Sequence, residues 1–194
     1  MSSISDEQQS GIFALVSYIT DPLGSFLAEL RQSLAGDPTP QPHITILPPR
    51  PLMPTLEEAS LEVKSKLQGF TRFEVELGKV SLFPETNILY LEVAKGSGDL
   101  RVLHDVLNSG SLHHDERFEY SPHVTISGPI AEQDVESGRN QAQAACSSSD
   151  MNFRFTVSDV VFLWQQGGKE EKWERLWSQR LKDPELSDAA NPGQ

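Results

Sequence analysis

Pro42-His43-Ile44-Thr45-Ile46 and Pro122-His123-Val124-Thr125-Ile126 are one pattern written twice in a chain of 194 residues. In an extended strand, residues i and i+2 project to the same face. His43 and Thr45 therefore point together, as do His123 and Thr125, while Ile44 and Ile46, or Val124 and Ile126, face the other way. Each copy has an apolar face to bury and a polar face left to line something. Pro42 and Pro122 stand at the first residue of their strands, where proline is tolerated. With five histidines and eight threonines, composition alone would supply about 0.2 copies of His-x-Thr. A matched pair is therefore poorly explained as two unrelated strand histidines.

The elements around the two copies repeat as well. Ile12 to Ile19 is a short apolar run rich in strand formers and reads as a buried strand. Asp21-Pro22 supplies an N-cap and a first-turn proline. Leu23, Phe26, Leu27, Leu30 and Leu34 then recur at helical spacing until Gly36, Pro38 and Pro40 stop the helix. After the first motif, Leu47 to Pro54 holds four prolines and is expected to be a loop. Thr55 opens a second helix, with Glu58 placed for a capping box. Residues 73–83 and 88–94 read as strands joined by a turn at Pro84 to Asn87. From Ile88 the order starts again, with a helix carrying Leu100, Leu103, Val106 and Leu107, the His123 strand, a polar helix within 131–146, and strands at 153–157 and 160–164. Residues 173–181 are compatible with a strand or a short helix. The order strand, helix, His-x-Thr strand, helix, strand thus occurs twice, which predicts two similar lobes related by a pseudo-two-fold axis.

Composition narrows the class of function. Cys146 is the single cysteine, so no internal disulfide or cysteine zinc site can form, and a reducing, cytoplasmic setting is expected. Met1 to Ser10 lack the basic flank and apolar core of a signal peptide, and the longest apolar run is far too short to span a bilayer. The net charge of -12 opposes extended duplex nucleic acid, and no basic run interleaved with aromatics offsets it. Screening over about 8 Å still allows one phosphate to be captured locally. The expected partner is a small nucleotide or an RNA end, with no membrane, and the chain is expected to be a monomer.

The two quoted motifs resemble the signature of the 2H phosphoesterase superfamily, which includes the 2′-5′ RNA ligases and cyclic phosphodiesterases. The resemblance extends over about residues 11 to 181. It implies an α+β, bilobal fold in which duplicated β-α-β-α-β units form two antiparallel sheets with a central cleft. The expected organisation is a flexible segment 1–10, one bilobal domain over 11–182, and a flexible tail over 183–194. The resemblance also implies that neither a metal nor another cofactor is needed, that His43 and His123 are the catalytic pair, and that Thr45 and Thr125 bind the phosphate. The residue types agree with that chemistry. Histidine titrates near neutrality, so one imidazole can accept a proton while the other donates one. Hydroxyls can donate to oxygens where charge accumulates. The expected activity is opening of a 2′,3′-cyclic phosphate or a 2′-5′ phosphodiester. A module that binds a nucleotide or RNA end without turnover is the alternative.

Weaker candidates complete the reading. Arg50, in the Pro-rich stretch, could reach an anionic substrate. Tyr18, with Phe13 on the first strand, and Trp164, at the end of a late strand, could stack on a base. Relatives often carry a basic residue after the second motif, where this chain reads Ser127-Gly128-Pro129, and this weakens the case for tight nucleic-acid binding. His113-His114-Asp115-Glu116 is contiguous and polar, and reads as exposed loop rather than a metal site. His104 reads as a packing residue, and Cys146 as a small residue near a helix end.

Overall fold

The computed structural model describes residues 11–35, 40–167 and 172–184. Eight strands and four helices follow one another as β1 (Gly11–Tyr18), α1 (Leu23–Ala35), β2 (His43–Pro51), α2 (Leu56–Leu67), β3 (Phe73–Phe83), β4 (Ile88–Lys95), α3 (Ser97–Leu107), β5 (His123–Pro129), α4 (Val135–Ser148), β6 (Arg154–Val157), β7 (Asp159–Gln166) and β8 (Glu174–Arg180). The strands form two four-stranded antiparallel sheets, ordered β2-β1-β7-β8 and β5-β4-β3-β6. The stretch 173–181, open between strand and helix from sequence, is strand β8, paired with β7.

The sheets are not built one from each repeat. β3 follows α2 but pairs with β4 and β6, whereas β7 follows α4 and β6 but pairs with β1. The first half gives β3 to the second half's sheet, and the second half gives β7 and β8 to the first's. The helices cross as well, with α1 lying alongside β5 and α3 alongside β2. The two His-x-Thr strands are the equivalent edge strands of their sheets, and they lie against each other. A strand edge carries unpaired backbone groups that need cover. Here each edge is bordered by the opposing edge and by a helix from the other half.

That edge position corrects the expectation of a loop over Leu47 to Pro54. β2 runs on through Pro48, Pro49 and Pro51. Proline cannot donate to a ladder, so it is excluded from central strands but is accommodated at an edge. A register shift accompanies the run, because Leu15 pairs with Leu47 while Val16 pairs with Thr45. β5 is irregular at the matching place, with Tyr90 opposite Thr125 and Ile88 opposite Pro129. There the buried Ser127 hydroxyl accepts the Leu89 N–H at 2.8 Å, taking up a donor that the interrupted ladder leaves over.

The apolar faces behave as the two-residue period predicts. Ile44, Ile46, Val124 and Ile126 are fully buried, in one continuous core with Phe13, Leu15, Val63, Leu91, Leu103 and Phe162. α2 is fastened by a reciprocal capping box. The Thr55 hydroxyl accepts from the Glu58 N–H at 3.2 Å, and the Glu58 carboxylate accepts from the Thr55 N–H at 2.9 Å. The expected flexible segment 1–10 lies outside the described residues, as does 185–194. Asp183, placed in the expected tail, instead pairs with Arg72 at 3.0 Å. Among the described residues, no helix is long and apolar enough to cross a membrane. Thr55→Ala is expected to lower stability by about 1 kcal/mol, read as a lower urea midpoint with an unchanged slope.

Candidate active site

The ring of each motif histidine is held in the same way. His43 Nδ1 lies 2.7 Å from the carbonyl oxygen of Gln41, and His123 Nδ1 lies 2.7 Å from that of Ser121. A carbonyl can only accept, so in the neutral imidazole each Nδ1 carries the proton and each Nε2 keeps a free lone pair. The intervening proline has a fixed φ, which limits the directions the preceding carbonyl can take. Pro-His therefore orients the ring as well as opening the strand.

Both histidines are held below the ordinary histidine value near 6.5. Burial is the main cause in each case, opposed by the carbonyl hydrogen bond. His43 is further lowered by the positive charges of Arg31 and of His123 itself. A positive charge on His123 thus disfavours protonation of His43.

Their surroundings break the symmetry. Tyr18 is the cross-strand partner of His43, and its ring meets the imidazole edge-on at 6.1 Å. His123 is opposed instead by Glu92, whose carboxylate accepts from the Ser81 hydroxyl at 2.5 Å and lies 3.5 Å from Lys79 Nζ. Its ring is enclosed by Phe83 at 4.8 Å and Tyr90 at 5.3 Å, which stack on each other.

A cleft of about 470 Å³ opens between the lobes. Thr45 and Pro48 to Arg50 line it from β2, and Phe83, residues of the 114–121 stretch and His123 line it from the other side. Thr45 and His123, distant in sequence, share this cavity. His43 and Thr125 lie outside its lining, each two residues along the same strand face from a lining residue and half-buried.

Arg50 lines the cleft but is already committed to protein groups. It is only 2% exposed. Nε donates to the Pro48 carbonyl at 3.1 Å, Nη1 donates to Asn108 Oδ1 at 2.6 Å, and Nη2 pairs with Glu116. The Glu116 carboxylate also lies 3.7 Å from His104 Nε2. His104 is bonded through Nδ1 to the Ile46 carbonyl at 2.9 Å and stacks flat on Tyr120 at 4.0 Å. The Tyr120 hydroxyl donates to the Thr45 carbonyl at 2.7 Å, and burial, with Glu116 adding to it, pushes that phenol upward. This network ties β2 to α3 and to the segment leading into His123.

Sequence reasoning missed most of these partners. Glu116 was read as exposed loop together with His113 and His114, but it turns inward to Arg50. Tyr120 and Asn108 gave no signal, since single polar residues between elements have no period. Trp164 needs correcting as a base-stacking candidate. It is 6% exposed, lies opposite Phe13 on the core face, and covers Gly11 so closely that a Cβ there would come within 2.6 Å of its indole nitrogen. Trp164 and Val161 differ by an odd number of positions, and it is Val161, paired with Val16, that shares the His43 side of the sheet. Cys146 sits half-buried near the end of α4, its thiol pushed up by burial and so kept from the reactive thiolate form. Among the described residues, no group of three His, Cys, Asp or Glu side chains is arranged to hold a metal ion.

Two sheets with exchanged strands, and a His-x-Thr edge from each meeting at one cleft, define a 2H phosphoesterase-type protein. The chain belongs to the 2′-5′ RNA ligase superfamily, whose description matches residues 19–169. A Staphylococcus haemolyticus protein provisionally named a phosphoesterase is 28% identical over 134 residues, which is 68% of this chain and 76% of that protein. A Staphylococcus aureus protein of the same provisional name is 27% identical over 143 residues, 73% of this chain and 81% of that one. Among solved structures, Escherichia coli LigT in its apo form superposes with a TM-score of 0.61 at 11% identity, over 90% of this chain and 99% of LigT. LigT complexed with 3′-AMP gives the same TM-score of 0.61, at 11% identity over 89% and 98% of the two chains.

Two measurements test the site. In the free protein, both histidines are expected to titrate below 6.5 and to show ring ¹⁵N shifts of the Nδ1–H form, with added phosphate moving at least one midpoint upward. A midpoint at or above 6.5 before phosphate is added contradicts the burial argument. Arg50→Ala leaves the Glu116 carboxylate without its main partner and is expected to cost about 3 kcal/mol of folding stability. A fully stable variant would mean that the Arg50 network is dispensable to the fold.

Proposed function

We propose that the protein is a metal-independent phosphoesterase that opens a 2′,3′-cyclic phosphate, or a 2′-5′ phosphodiester, on a nucleotide or RNA end, with His43 and His123 as acid and base. The observation that carries the reading is the matched fixing of the two rings. Each Nδ1–H is spent on a carbonyl, so each Nε2 is the atom left to take or give a proton. Membership of the superfamily supports the same reaction class, and LigT, which shares the fold, was crystallised with 3′-AMP.

The chemistry follows from the geometry of displacement at phosphorus. The attacking water and the departing oxygen lie on opposite sides, so the reaction needs a base on one side and an acid on the other. Two edge strands from different sheets supply an imidazole from each side. The neutral imidazole takes a proton from water as its oxygen bonds to phosphorus. The second imidazole, protonated, returns one to the ribose oxygen as its bond to phosphorus breaks, leaving a phosphate monoester. Thr45 and Thr125 donate to the non-bridging oxygens, where negative charge grows. A bound phosphate anion favours the imidazolium form, which supplies the acid that burial disfavours in the empty cleft.

His43→Ala and His123→Ala are each expected to reduce kcat by about 10²–10⁴-fold on a nucleoside 2′,3′-cyclic phosphate, with EDTA present throughout. Near-wild-type turnover in either variant rejects the two-histidine mechanism, and loss of wild-type activity in EDTA rejects metal independence. The pH dependence has a definite sign. Both free-state values lie below 6.5, so kcat/KM is expected to peak on the acid side of neutrality and to fall as the acid partner deprotonates above it. The kcat profile is expected to lie at higher pH, because it reports the phosphate-bound state.

A further inference from the structure

We propose that the nucleoside of the substrate occupies the His123 side of the cleft and stacks its base on Phe118, so that Glu116 to Tyr120 form the selectivity wall of a site for one terminal nucleotide. The inference deepens the phosphoesterase reading and names which end of the cleft holds the organic part of the substrate.

The His-x-Thr strands are near-equivalent, but their neighbours are not, with Tyr18 beside His43 and Glu92, Phe83 and Tyr90 beside His123. The cleft of about 470 Å³ extends from Thr45 and His123 along the 114–121 segment, and neither Tyr18, His43 nor Thr125 borders it. A phosphate held beside Thr45 and His123 therefore has room for its nucleoside along that segment. The volume suits a single small ligand.

Phe118 stands on that wall and is 65% exposed. Leaving a phenylalanine in water forgoes about 1.5–3 kcal/mol of burial, and no core contact accounts for its position. The Arg117 guanidinium lies over the ring, 5.0 Å from its centroid, and holds it by a cation–π contact. The ring stays exposed enough to receive a flat partner. Across the cleft, Pro48 and Pro49 form a stiff wall without N–H donors. An exposed aromatic ring in the same cleft can accept any base through its π-face.

The charges on this wall are balanced. Glu116 and Glu119 border the cleft, as do Arg50 and Arg117, and the two carboxylates pair with Arg50 and Arg101. The reach of a ligand along the wall is therefore set by the size of the cleft, which suits one nucleoside.

The test is calorimetric titration of the whole protein with adenosine 3′-monophosphate and, separately, with inorganic phosphate. Stacking on an aromatic contributes about 1–3 kcal/mol per base. Phe118→Ala is therefore expected to weaken the nucleotide roughly tenfold or more while leaving phosphate affinity as in the wild type, and Phe118→Trp is expected to restore nucleotide binding. Unchanged nucleotide affinity in Phe118→Ala, equal weakening of both ligands, or no binding of the nucleotide to the wild type overturns the proposal. The readout requires no turnover. A protein that binds the nucleotide through Phe118 but opens no cyclic phosphate would refute the phosphoesterase reading and uphold this one.

Discussion

The site depends on a short hydrogen bond made twice, from a histidine Nδ1–H to the carbonyl two residues earlier, at 2.7 Å in both motifs. Without it each ring could turn about its side-chain bonds, and the neutral tautomers would exchange. With it, one nitrogen is used structurally and the other keeps its lone pair in the neutral ring. The Pro-His dipeptide supplies this locally, since proline restricts the chain on both sides of the peptide bond while the strand holds the histidine. The arrangement asks little of the rest of the protein, and it stands in both motifs although the sequences around them differ.

Bringing the two motif strands together is a tertiary matter. Each His-x-Thr strand is an edge, and the edges are brought together by contacts that cross between the halves. The Arg50 network is the most polar of these, with a buried guanidinium satisfied by a carbonyl, an amide and a carboxylate. Buried charges are tolerated when paired and hydrogen-bonded in this way. The network also fixes the segment from Glu116 to Tyr120, the wall of the cleft nearest His123. Arg50 is thus a part of the scaffold that happens to border the cleft, and its charge is shared with Glu116.

Much of this was legible in the residues themselves. The alternation in Ile44, Ile46, Val124 and Ile126 gave the buried face of each motif strand, and the Thr55–Glu58 spacing gave the cap of α2. These signals are local, with a period or a fixed offset. What was not legible is set by contacts distant in sequence. The prolines of β2 read as loop because nothing local says that a strand will lie at an edge. Glu116 read as surface because its partner lies 66 residues away. Trp164 read as a cleft aromatic because its side of the sheet depends on pairing with β1. Near the site, the register shifts in β2 and β5 break the simple two-residue count that the sequence offers.

The exchange of β3 and β7 has a consequence for how such a protein could be divided. Cutting the chain at the turn between β3 and β4 would give two fragments, each carrying one complete His-x-Thr motif. Neither would hold a finished sheet, since the first would have β3 without β4 and the second would have β7 without β1. Each would expose an interior strand edge complementary to the other. The two halves complete each other's sheets, so the joined chain behaves as a covalent dimer of its own halves.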